Sequence, residues 1–318
     1  MGTVQNQCMI DRRILTLRTF ASCGSIAATA ELTGYSPSAV SAQLRELQQS
    51  LGMRLLLKEG RGLHLTATGR YLVEQTDGLI EECDRITSTM ASVAGSTPIE
   101  FGLGGFSTAA SSLLVPLAAE LRATQPKVTV RVVEASPSRC LDLLLAERID
   151  LAVVVATEAE ADVGSDSRVE ETRLLDDPLD VMLPLDHRLA ENSSVSLHEL
   201  VGEVWITDAP GTAYRALFSA AFTAVGVNPK VQHEVTEWET TTALVGAGMG
   251  LGLVPRLASL AGSENVRRVP ISGPARPTRR IVAAVRRGTA TAPIVAASLA
   301  HLKDAARRLL SERLAENP

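Results

Sequence analysis

The residues best suited to recognising another molecule lie together near the N-terminus, in the stretch 36–52. Ser36 is a good helix N-cap, Pro37 suits the first helical position, and Gly52 favours a helix end, so the stretch predicts a helix. At about 100° per residue, one side of this helix is apolar and the opposite side is small, polar and basic. The apolar side carries Val40, Leu44, Leu47 and Leu51, and the polar side carries Ser38, Ser41, Ala42, Arg45 and Gln49. We predict that the first side packs in a core and that the second is free for recognition.

A shorter helix is predicted just before this stretch. Ser25 is a candidate N-cap for a helix over 26–32, and Gly34 in the connection 33–35 can adopt the left-handed conformation of a tight turn. Small alanines would let the two helices cross closely, which leaves the second free to enter a DNA major groove about 12 Å wide. The pattern predicts a helix-turn-helix, and an ordinary helical hairpin is the alternative.

Charge is unevenly distributed along the 318 residues. Residues 1–70 carry eight Lys and Arg against four Asp and Glu, a net charge of +4, whereas the whole chain carries −5, which leaves −9 for residues 71–318. A basic head on an acidic body favours nucleic-acid binding by the head alone.

The four cysteines are scattered, at positions 8, 23, 83 and 140. This spacing argues against a zinc site or a disulfide framework, so we expect reduced thiols, no metal and no cofactor. The N-terminus shows no apolar run typical of a signal peptide, and glycines, serines and Pro116 interrupt the uncharged stretch 101–119. We expect a cytoplasmic protein without a membrane segment.

A two-stranded hairpin is predicted after the second helix. The apolar run 55–57 and the alternating run 63–65 flank a turn over 59–62. Lys58, Arg61 and His64 lie on or near the tip, where basic side chains reach phosphate or a minor groove. A solvated, charged turn is the alternative for this wing.

A long helix follows, capped by Thr66 and ending at about Ala94. Apolar residues recur every seven positions, with a second set four positions later, which is the a/d pattern of a dimerising helix. The predicted dimer seam is Leu72, Leu79, Cys83, Ile86, Met90 and Val93, with Thr76 as a weaker member. A single helix packed on its own domain is the alternative.

From residue 99 onward, short apolar runs alternate with helical patterns, which predicts a mostly parallel α/β arrangement in two lobes. The predicted strands are 99–106, 128–133, 151–155, 179–183, 204–207, 231–235, 251–254 and 280–285. The predicted helices are 112–124, 138–148, 212–225, 237–247 and about 293–314.

The N-terminal motifs resemble the LysR-type transcriptional regulators, without a gap from residue 17 to residue 69. The segments that carry the resemblance are Leu17-Arg18-Thr19-Phe20, Gly24-Ser25-Ile26, Ala30-Glu31-Leu32, Ser36-Pro37-Ser38-Ala39-Val40-Ser41, Leu51-Gly52 and Leu65-Thr66-Ala67-Thr68-Gly69, together with Leu44, Leu47, Leu55 and Arg61. The segments Gln125-Pro126, Arg148-Ile149-Asp150-Leu151-Ala152, Asp177-Pro178-Leu179 and 246–255 resemble the same family more loosely.

The resemblance implies an α/β protein with an N-terminal winged helix-turn-helix, a long linker helix and a C-terminal two-lobed effector domain like the periplasmic binding proteins. The expected limits are 1–66 for the DNA-binding domain, 67–95 for the linker and dimerisation helix, and 96–318 for the effector domain. Within the effector domain, lobe I is expected at about 96–176 and 270–318 and lobe II at about 177–269.

The head departs from the family pattern at two positions. Pro37 stands where many members carry Gln after the capping Ser, and Ala42 stands where many carry Arg or Gln after the second Ser. Recognition of bases is therefore expected to fall on Ser38, Ser41, Gln43 and Arg45. The full set of expected DNA contacts is Ser25, Ser36, Ser38, Ser41, Gln43, Arg45, Lys58 and Arg61.

Hydroxyl side chains follow the predicted strands at the positions where α/β sheets bind ligands, beside helix N-termini that favour anions. The expected effector contacts are Ser107, Thr108, Ser136, Thr157, Thr212 and Thr236, the last of these at the start of a helix. The resemblance implies that these turns line a cleft between the lobes, and a small carboxylate suits them. Plain helix capping is the alternative role for each.

Two other functional classes remain as alternatives, a nucleotide-dependent enzyme and a solute-binding module with an interaction domain. For the enzyme, Gly102, Gly104 and Gly105 after a strand are the best sign, but Ser107 replaces the third glycine and Glu134 lies too far along the chain. The paired carboxylates 170–171 and 176–177 are expected to be a solvated connection between lobes. The basic head and wing argue against a plain solute-binding module.

We therefore predict a sequence-specific DNA-binding transcriptional regulator, not an enzyme, whose activity a small anionic effector modulates. Its expected partners are double-stranded promoter DNA, the effector and further copies of itself in a dimer or tetramer. RNA polymerase is a further candidate partner.

Overall fold

The computed structural model describes residues 10–59, 62–94, 99–156, 166–260, 263–273 and 276–315. The chain divides into two compact units. The first unit is Met1–Val154, Gly164–Thr172 and Ala283–Leu302, and the second is Val155–Val163, Arg173–Val282 and Lys303–Pro318. The domain limits expected from the sequence remain a prediction.

Three helices form the head of the first unit: α1 Arg12–Cys23, α2 Ile26–Thr33 and α3 Pro37–Leu51. As predicted, Ser25 and Ser36 cap α2 and α3, and left-handed glycines at positions 34 and 52 end them. The helices pack around one apolar cluster, whose members are Leu17, Phe20, Ala30, Val40, Leu44, Leu47, Leu55 and Leu56.

The wing and the long helix continue the first unit. Strands β1 Leu56–Glu59 and β2 Gly62–Leu65 pair antiparallel, as the hairpin pattern predicts. Helix α4 is Ala67–Ala94, and the Thr66 hydroxyl accepts the Gly69 N–H at 3.0 Å, which confirms Thr66 as a cap.

A parallel sheet forms the rest of the first unit. Strand β3 Ile99–Gly105 pairs parallel with both β4 Val128–Glu134 and β5 Leu151–Ala156. Helix α5 Ser107–Ala109, a π-helical turn Ala110–Leu114 and helix α6 Val115–Thr124 follow β3, and α7 Pro137–Leu145 follows β4.

The second unit is built around five strands. Strand β7 Val204–Thr207 pairs parallel with β8 Lys230–Glu234 and β9 Leu251–Pro255, while β6 Val169–Pro184 pairs antiparallel with β9 and with β10 Val266–Val269. Helices α8 Ala213–Ala224 and α9 Trp238–Gly246 and a short 3-10 helix, Leu197–Leu200, complete it. Trp205 meets Phe218 and Phe222 edge-on in its core, at centroid distances of 5.6 and 4.8 Å.

The last two elements, strand β11 Thr278–Arg286 and helix α10 Pro293–Ala315, and the long strand β6 each have residues in both units. No helix among the described residues is long and apolar enough to cross a membrane.

Several predicted elements need correction. Helical structure after β3 begins at Ser107 and not at residue 112, and it contains a π-turn. Strand β6 begins at Val169, ten residues before the predicted start, and β10 was not predicted. Leu51 was expected in the core, but 43 % of it is exposed because it is the last residue of α3.

Of the four carboxylates expected to be a solvated connection, Asp177 needs correction. Positions 170–171 and 176–177 lie within strand β6, and Asp177 is only 1 % exposed. Nε and Nη2 of Arg279 donate to Asp177 Oδ2. The Leu257 N–H donates to Asp177 Oδ1 at 3.0 Å. Asp177 is therefore a structural residue of the second unit.

Candidate nucleic-acid interface and effector positions

Helix α3 presents two faces of opposite character. Val40, Leu44 and Leu47 are at most 2 % exposed, whereas Ser38 and Arg45 are exposed on the other side. Burial of the first face fixes the helix on the head, so the second face is presented outward as a rigid surface. This outward position is what a helix needs to enter a major groove.

Two of the expected contact residues also cap helices. The Ser25 hydroxyl accepts the Ala28 N–H and the Ser36 hydroxyl accepts the Ala39 N–H, both at 3.2 Å. Ser36 and Ser38 share a hydroxyl–hydroxyl hydrogen bond of 2.9 Å. A hydroxyl carries one donor and two acceptor sites, so capping leaves each of these exposed serines further capacity for phosphate oxygens.

Gln43 is half-buried and makes a contact within the head. Its Oε1 accepts the Thr16 hydroxyl at 2.5 Å, which ties α3 to α1. The side-chain amide can still donate, so Gln43 combines a structural bond with its expected base contact. Ser41 is also half-buried.

Gln48 is a positioning residue that the sequence pattern did not reveal. Its Oε1 accepts the backbone N–H groups of Leu55 and Leu56, each at 3.0 Å. One side chain of α3 thus fixes the start of the wing. The only sequence signal is its place between the two faces of α3.

Basic side chains surround these helices. Lys58 on β1, Arg54 before it and Arg70 on α4 are exposed, and Arg70 donates to the Leu65 carbonyl at 2.9 Å. Arg61, the other basic residue expected at the wing, lies outside the described residues. The exposed cations beside α3 form the kind of surface that follows a phosphate backbone.

The expected dimer seam on α4 is partly exposed. Leu79 and Met90 are 59 % and 60 % exposed, while Leu72, Cys83 and Ile86 are half-buried. Thr76, a weaker member of the predicted pattern, is instead buried, with 1 % of it exposed. Ile80, one turn later, is also buried, because this face of α4 packs within the first unit. The side chain of Val93 lies outside the described set.

In the first unit, the expected effector residues occupy the starts of helices. Ser107 is the first residue of α5, Thr108 is 5 % exposed, and the Ser136 hydroxyl caps α7 by accepting the Arg139 N–H at 3.3 Å. Thr157 lies outside the described residues.

In the second unit, Thr212 caps α8 and accepts the Arg215 N–H at 3.1 Å. Thr236 was expected to begin a helix, but the N-cap of α9 is Glu237, so Thr236 is an exposed residue before the cap. The N-cap therefore lies one residue later than expected.

Three polar atoms at the ends of β7 and β8 were missed by the sequence pattern. Thr207 Oγ1, Asp208 Oδ1 and His233 Nε2 are buried and have no hydrogen-bond partner among the described residues. Parallel strands β7 and β8 pair Thr207 with Glu234 and Ile206 with His233, so these atoms belong to neighbouring strand ends. Unpaired buried polar atoms are costly, and a ligand that pairs with them removes that cost.

The glycines that suggested a nucleotide site have a packing role. A Cβ at Gly102 would lie 2.8 Å from Ile149 Cα, and one at Gly104 would lie 2.4 Å from Ile149 Cδ1. Glycine at these positions lets the chain around Ile149 pack directly on β3. No cluster of His, Cys, Asp and Glu able to hold a metal occurs in the part of the chain that the structure describes.

Two of the thiols are shielded. Burial raises the pKa of Cys23, and burial raises the pKa of Cys140 to about 11. Both thiols are protonated at neutral pH, and the thiolate is the reactive form of cysteine. The raised pKa disfavours this form in both residues.

Comparison with known proteins adds independent information. The family model described as the LysR substrate binding domain matches residues 100–307, and the model for bacterial regulatory helix-turn-helix proteins of the lysR family matches residues 12–70. The nitrogen assimilation regulatory protein nac of Klebsiella aerogenes is 26 % identical over 83 % of this chain and 84 % of its own length. The hydrogen peroxide-inducible genes activator of Pectobacterium carotovorum is 29 % identical over 70 % of this chain and 72 % of its own.

Solved structures share the fold. An H2O2-bound mutant of Corynebacterium glutamicum OxyR superposes with a TM-score of 0.61 at 19 % identity, covering 96 % of this chain and 95 % of that one. Full-length CbnR in complex with its target DNA gives a TM-score of 0.54 at 21 % identity, covering 94 % of this chain and 100 % of that one.

Proposed function

This chain belongs to the LysR family, and we propose that it binds promoter DNA through the outward face of α3 and the basic side chains around it. It is a DNA-binding transcriptional regulator with an effector-binding domain, and proteins of this family are not enzymes.

The observation that carries the DNA-binding proposal is the geometry of α3. Its apolar side is almost fully buried, and its opposite side exposes Ser38 and Arg45 above two capping serines. We assign base recognition to Ser38, Ser41, Gln43 and Arg45, and phosphate contacts to Ser25, Ser36, Lys58 and Arg61. Arginine bidentate to guanine is the commonest specific contact in a major groove, which favours Arg45 as the main determinant of sequence preference.

The effector is proposed to be a small carboxylate that also carries a hydrogen-bond donor. The helix starts at Ser136 and Thr212 favour an anion, as do the starts beside Ser107 and Thr108. In the second unit, the unpaired Asp208 Oδ1 needs a donor, which a hydroxyl or an amide of the ligand would supply. Thr157 and Thr236 remain further candidate contacts.

Helix α7 connects an expected effector residue to the head within the first unit. Its N-cap is Ser136, an expected effector residue, and one turn later Arg139 forms an ion pair of 3.0 Å with Glu31 of α2. Just beyond its C-terminus, Arg148 donates to the carbonyl of Thr33, the last residue of α2, at 2.7 Å. A shift of α7 on effector binding is therefore proposed to move the recognition helix.

Self-association through α4 is proposed from the exposed Leu79 and Met90. A dimer would present two copies of α3, and a tetramer would present four. We further propose that the protein acts in the cytoplasm, where promoter DNA lies, and that it acts on RNA polymerase bound nearby.

The test begins with selection of a preferred duplex from random sequences by the purified full-length protein. The wild type and Arg45→Ala, Lys58→Ala and Arg122→Ala variants are then titrated with this duplex and a shuffled one at several salt concentrations. Arg45→Ala is expected to lose about 1–3 kcal/mol of preference, since it removes a base contact. Lys58→Ala is expected to weaken both duplexes alike and to reduce the salt slope by about 0.9.

Arg122 is an exposed residue of α6, far along the chain from the head, so Arg122→Ala is the control and should change neither quantity. Equal loss on both duplexes for Arg45→Ala would contradict its role in base recognition. Failure of the wild type to prefer any duplex would contradict the proposed DNA contacts altogether.

A further inference from the structure

A cavity of about 350 Å³ lies in the first unit between the long helix α4, the head helix α1 and the chain segments around residues 167–168 and 286–287. None of the expected effector residues lines it. Its lining carries both signs of charge, with four arginines and three carboxylates of α4.

The carboxylate row consists of Asp77, Glu81 and Asp84, at helical spacings of four and three residues, so all three lie on one face of α4. The two outer members are neutralised within the protein. Asp77 accepts Arg18 Nε at 2.7 Å, and Asp84 accepts Arg286 Nε at 3.1 Å.

The middle member is not neutralised. Among the described residues, the Glu81 carboxylate has no ion-pair or hydrogen-bond partner, although Arg287 also lines the cavity. Arg287 uses its Nε for the Ser167 carbonyl, and its two terminal nitrogens have no partner in the described chain. The Glu81 carboxylate and the Arg287 guanidinium thus line the same cavity without forming an ion pair.

The backbone holds these two groups near each other. Gly288 has a φ of +86°, and a Cβ there would lie 2.6 Å from the Glu81 carbonyl oxygen, so only glycine allows this approach. The Gly288 N–H donates to Glu170 Oε1 at 2.9 Å, which fixes the turn. The close approach of the turn at Gly288 to α4 therefore holds Glu81 and Arg287 at the same cavity.

We propose that this cavity is a second ligand site, which takes a small zwitterion with an ammonium group and a carboxylate, the chemistry of an amino acid. The ammonium would pair with Glu81 and the carboxylate with Arg287; Arg168 also lines the cavity but is already paired with Asp166 at 2.6 Å. The volume suits a ligand of that size, since pockets for small molecules begin at about 300 Å³. Such a ligand completes the row of ion pairs along α4.

The test is isothermal titration calorimetry on the full-length protein. The probes are the twenty common amino acids and γ-aminobutyrate, each alone, with acetate and ethylammonium as fragments that carry only one of the two charges. At least one zwitterion is expected to bind with a Kd at or below about 1 mM, and about tenfold more tightly than either fragment. Acetate binding as tightly as every zwitterion would overturn the assignment, and so would the absence of any binding.

Neutral variants locate the site. Glu81→Gln and Arg287→Gln keep the side-chain shape and should each weaken zwitterion binding by about tenfold or more. Glu74→Gln, two turns earlier on the same face of α4, and Arg122→Gln, on α6, are exposed controls that should leave it unchanged. Binding that is lost in Thr212→Ala but kept in both cavity variants would assign the ligand to the second unit and overturn the proposal.

The inference can fail independently of the proposed function. Binding of the selected duplex by the wild type, measured without any amino acid, reports only on the DNA contacts. Zwitterion binding, measured without DNA, reports only on the cavity.

Discussion

Asp180 is a fully buried carboxylate in β6 that two arginines neutralise. Arg256 Nε and Nη2 donate to its two oxygens at 2.9 and 2.6 Å, and Arg276 Nη2 donates to Oδ1 at 3.3 Å. Arg256 is itself only 4 % exposed. Buried ions of this kind depend on each other, because the loss of one leaves the other without water or partner.

Replacement of Arg256 should therefore be strongly destabilising. We expect Arg256→Met to lower the free energy of unfolding by about 3–5 kcal/mol, since it leaves Asp180 poorly compensated. Urea denaturation followed by circular dichroism measures this change. Arg267→Met removes an exposed pair with Glu191 in the same unit, and should cost at most about 1 kcal/mol. Equal effects of the two variants would contradict the importance of the buried pair.

Glu147 is a carboxylate whose negative charge is disfavoured by its buried position. It has a φ of +57°, and its buried Oε1 has no partner among the described residues. Burial raises the pKa of Glu147 above its usual 4.5, in spite of the nearby Arg286. Because the folded state holds this proton more tightly than the unfolded state does, Glu147 lowers stability as pH rises from about 4.5.

Removal of the Glu147 charge should reverse that effect. We expect Glu147→Gln to be more stable than the wild type at pH 7, with the difference shrinking as the pH falls to about 4.5 and the wild-type carboxyl becomes protonated. Thermal unfolding at a series of pH values provides the measurement. Glu120→Gln, at an exposed position of α6, is the control, and a gain that does not depend on pH would exclude the proposed cause.

At the scale of elements, one side chain of α3 holds the start of the wing by hydrogen bonds, in addition to the apolar packing of Leu55 and Leu56. Gln48 Oε1 accepts two successive backbone N–H groups, those of Leu55 and Leu56, both of which are buried. A carbonyl oxygen that serves two buried donors fixes both the distance and the direction of the strand that follows.

Loss of this attachment should reduce stability and DNA affinity together. Gln48→Ala leaves two N–H groups without an acceptor, so we expect a loss of about 1–3 kcal/mol in the free energy of unfolding. The affinity for both preferred and shuffled duplexes should also fall, since the wing carries Lys58. Gln49→Ala alters the exposed neighbour and serves as the control. A Gln48→Ala variant that is as stable as Gln49→Ala would show that the wing is held by other contacts.

Elements with local signals were predictable, and elements with distant partners were not. Helix α3 begins and ends as predicted because Ser36, Pro37 and Gly52 act within one turn of its ends. The first part of β6, residues 169–178, was missed because a stretch rich in carboxylates is typical of a solvated connection, whereas the burial of Asp177 depends on residues far along the chain. The partners of Asp180 and Asp177, Arg256 and Arg279, follow them by 76 and 102 positions, so no local pattern reveals them.

The candidate site divides in the same way. The outward face of α3 follows from helical spacing, which the sequence contains directly. The unpaired atoms of Thr207, Asp208 and His233 come from two strands that are adjacent only in the folded sheet. The cavity beside Glu81 likewise requires the packing of α4 against β11 and the turn at Gly288.

At the scale of the whole molecule, charge and apolar surface are divided between different parts of the chain. The net charge of +4 lies in residues 1–70, and the remaining −9 keeps the rest of the chain from competing for DNA. Two large apolar side chains of α4, Leu79 and Met90, are exposed at the start of the acidic region. An exposed apolar stripe at heptad spacing is a typical surface for a second copy of the same helix.

This stripe is expected to hold two copies of the protein together. The wild type is expected to sediment as a dimer or larger species, and Leu79→Asp with Met90→Asp should shift it towards monomer, because like charges would then face each other in the seam. Tyr71→Ser is the control, since Tyr71 is 64 % exposed on α4 but lies one position before the seam. In the wild type, a bismaleimide crosslinker should join Cys83 to Cys83 of a second copy, identified by mass spectrometry of the linked peptides. A monomeric wild type without that linked peptide would rule out α4 as the dimer seam, and α4 would then serve only to pack within its own unit through Thr76 and Ile80.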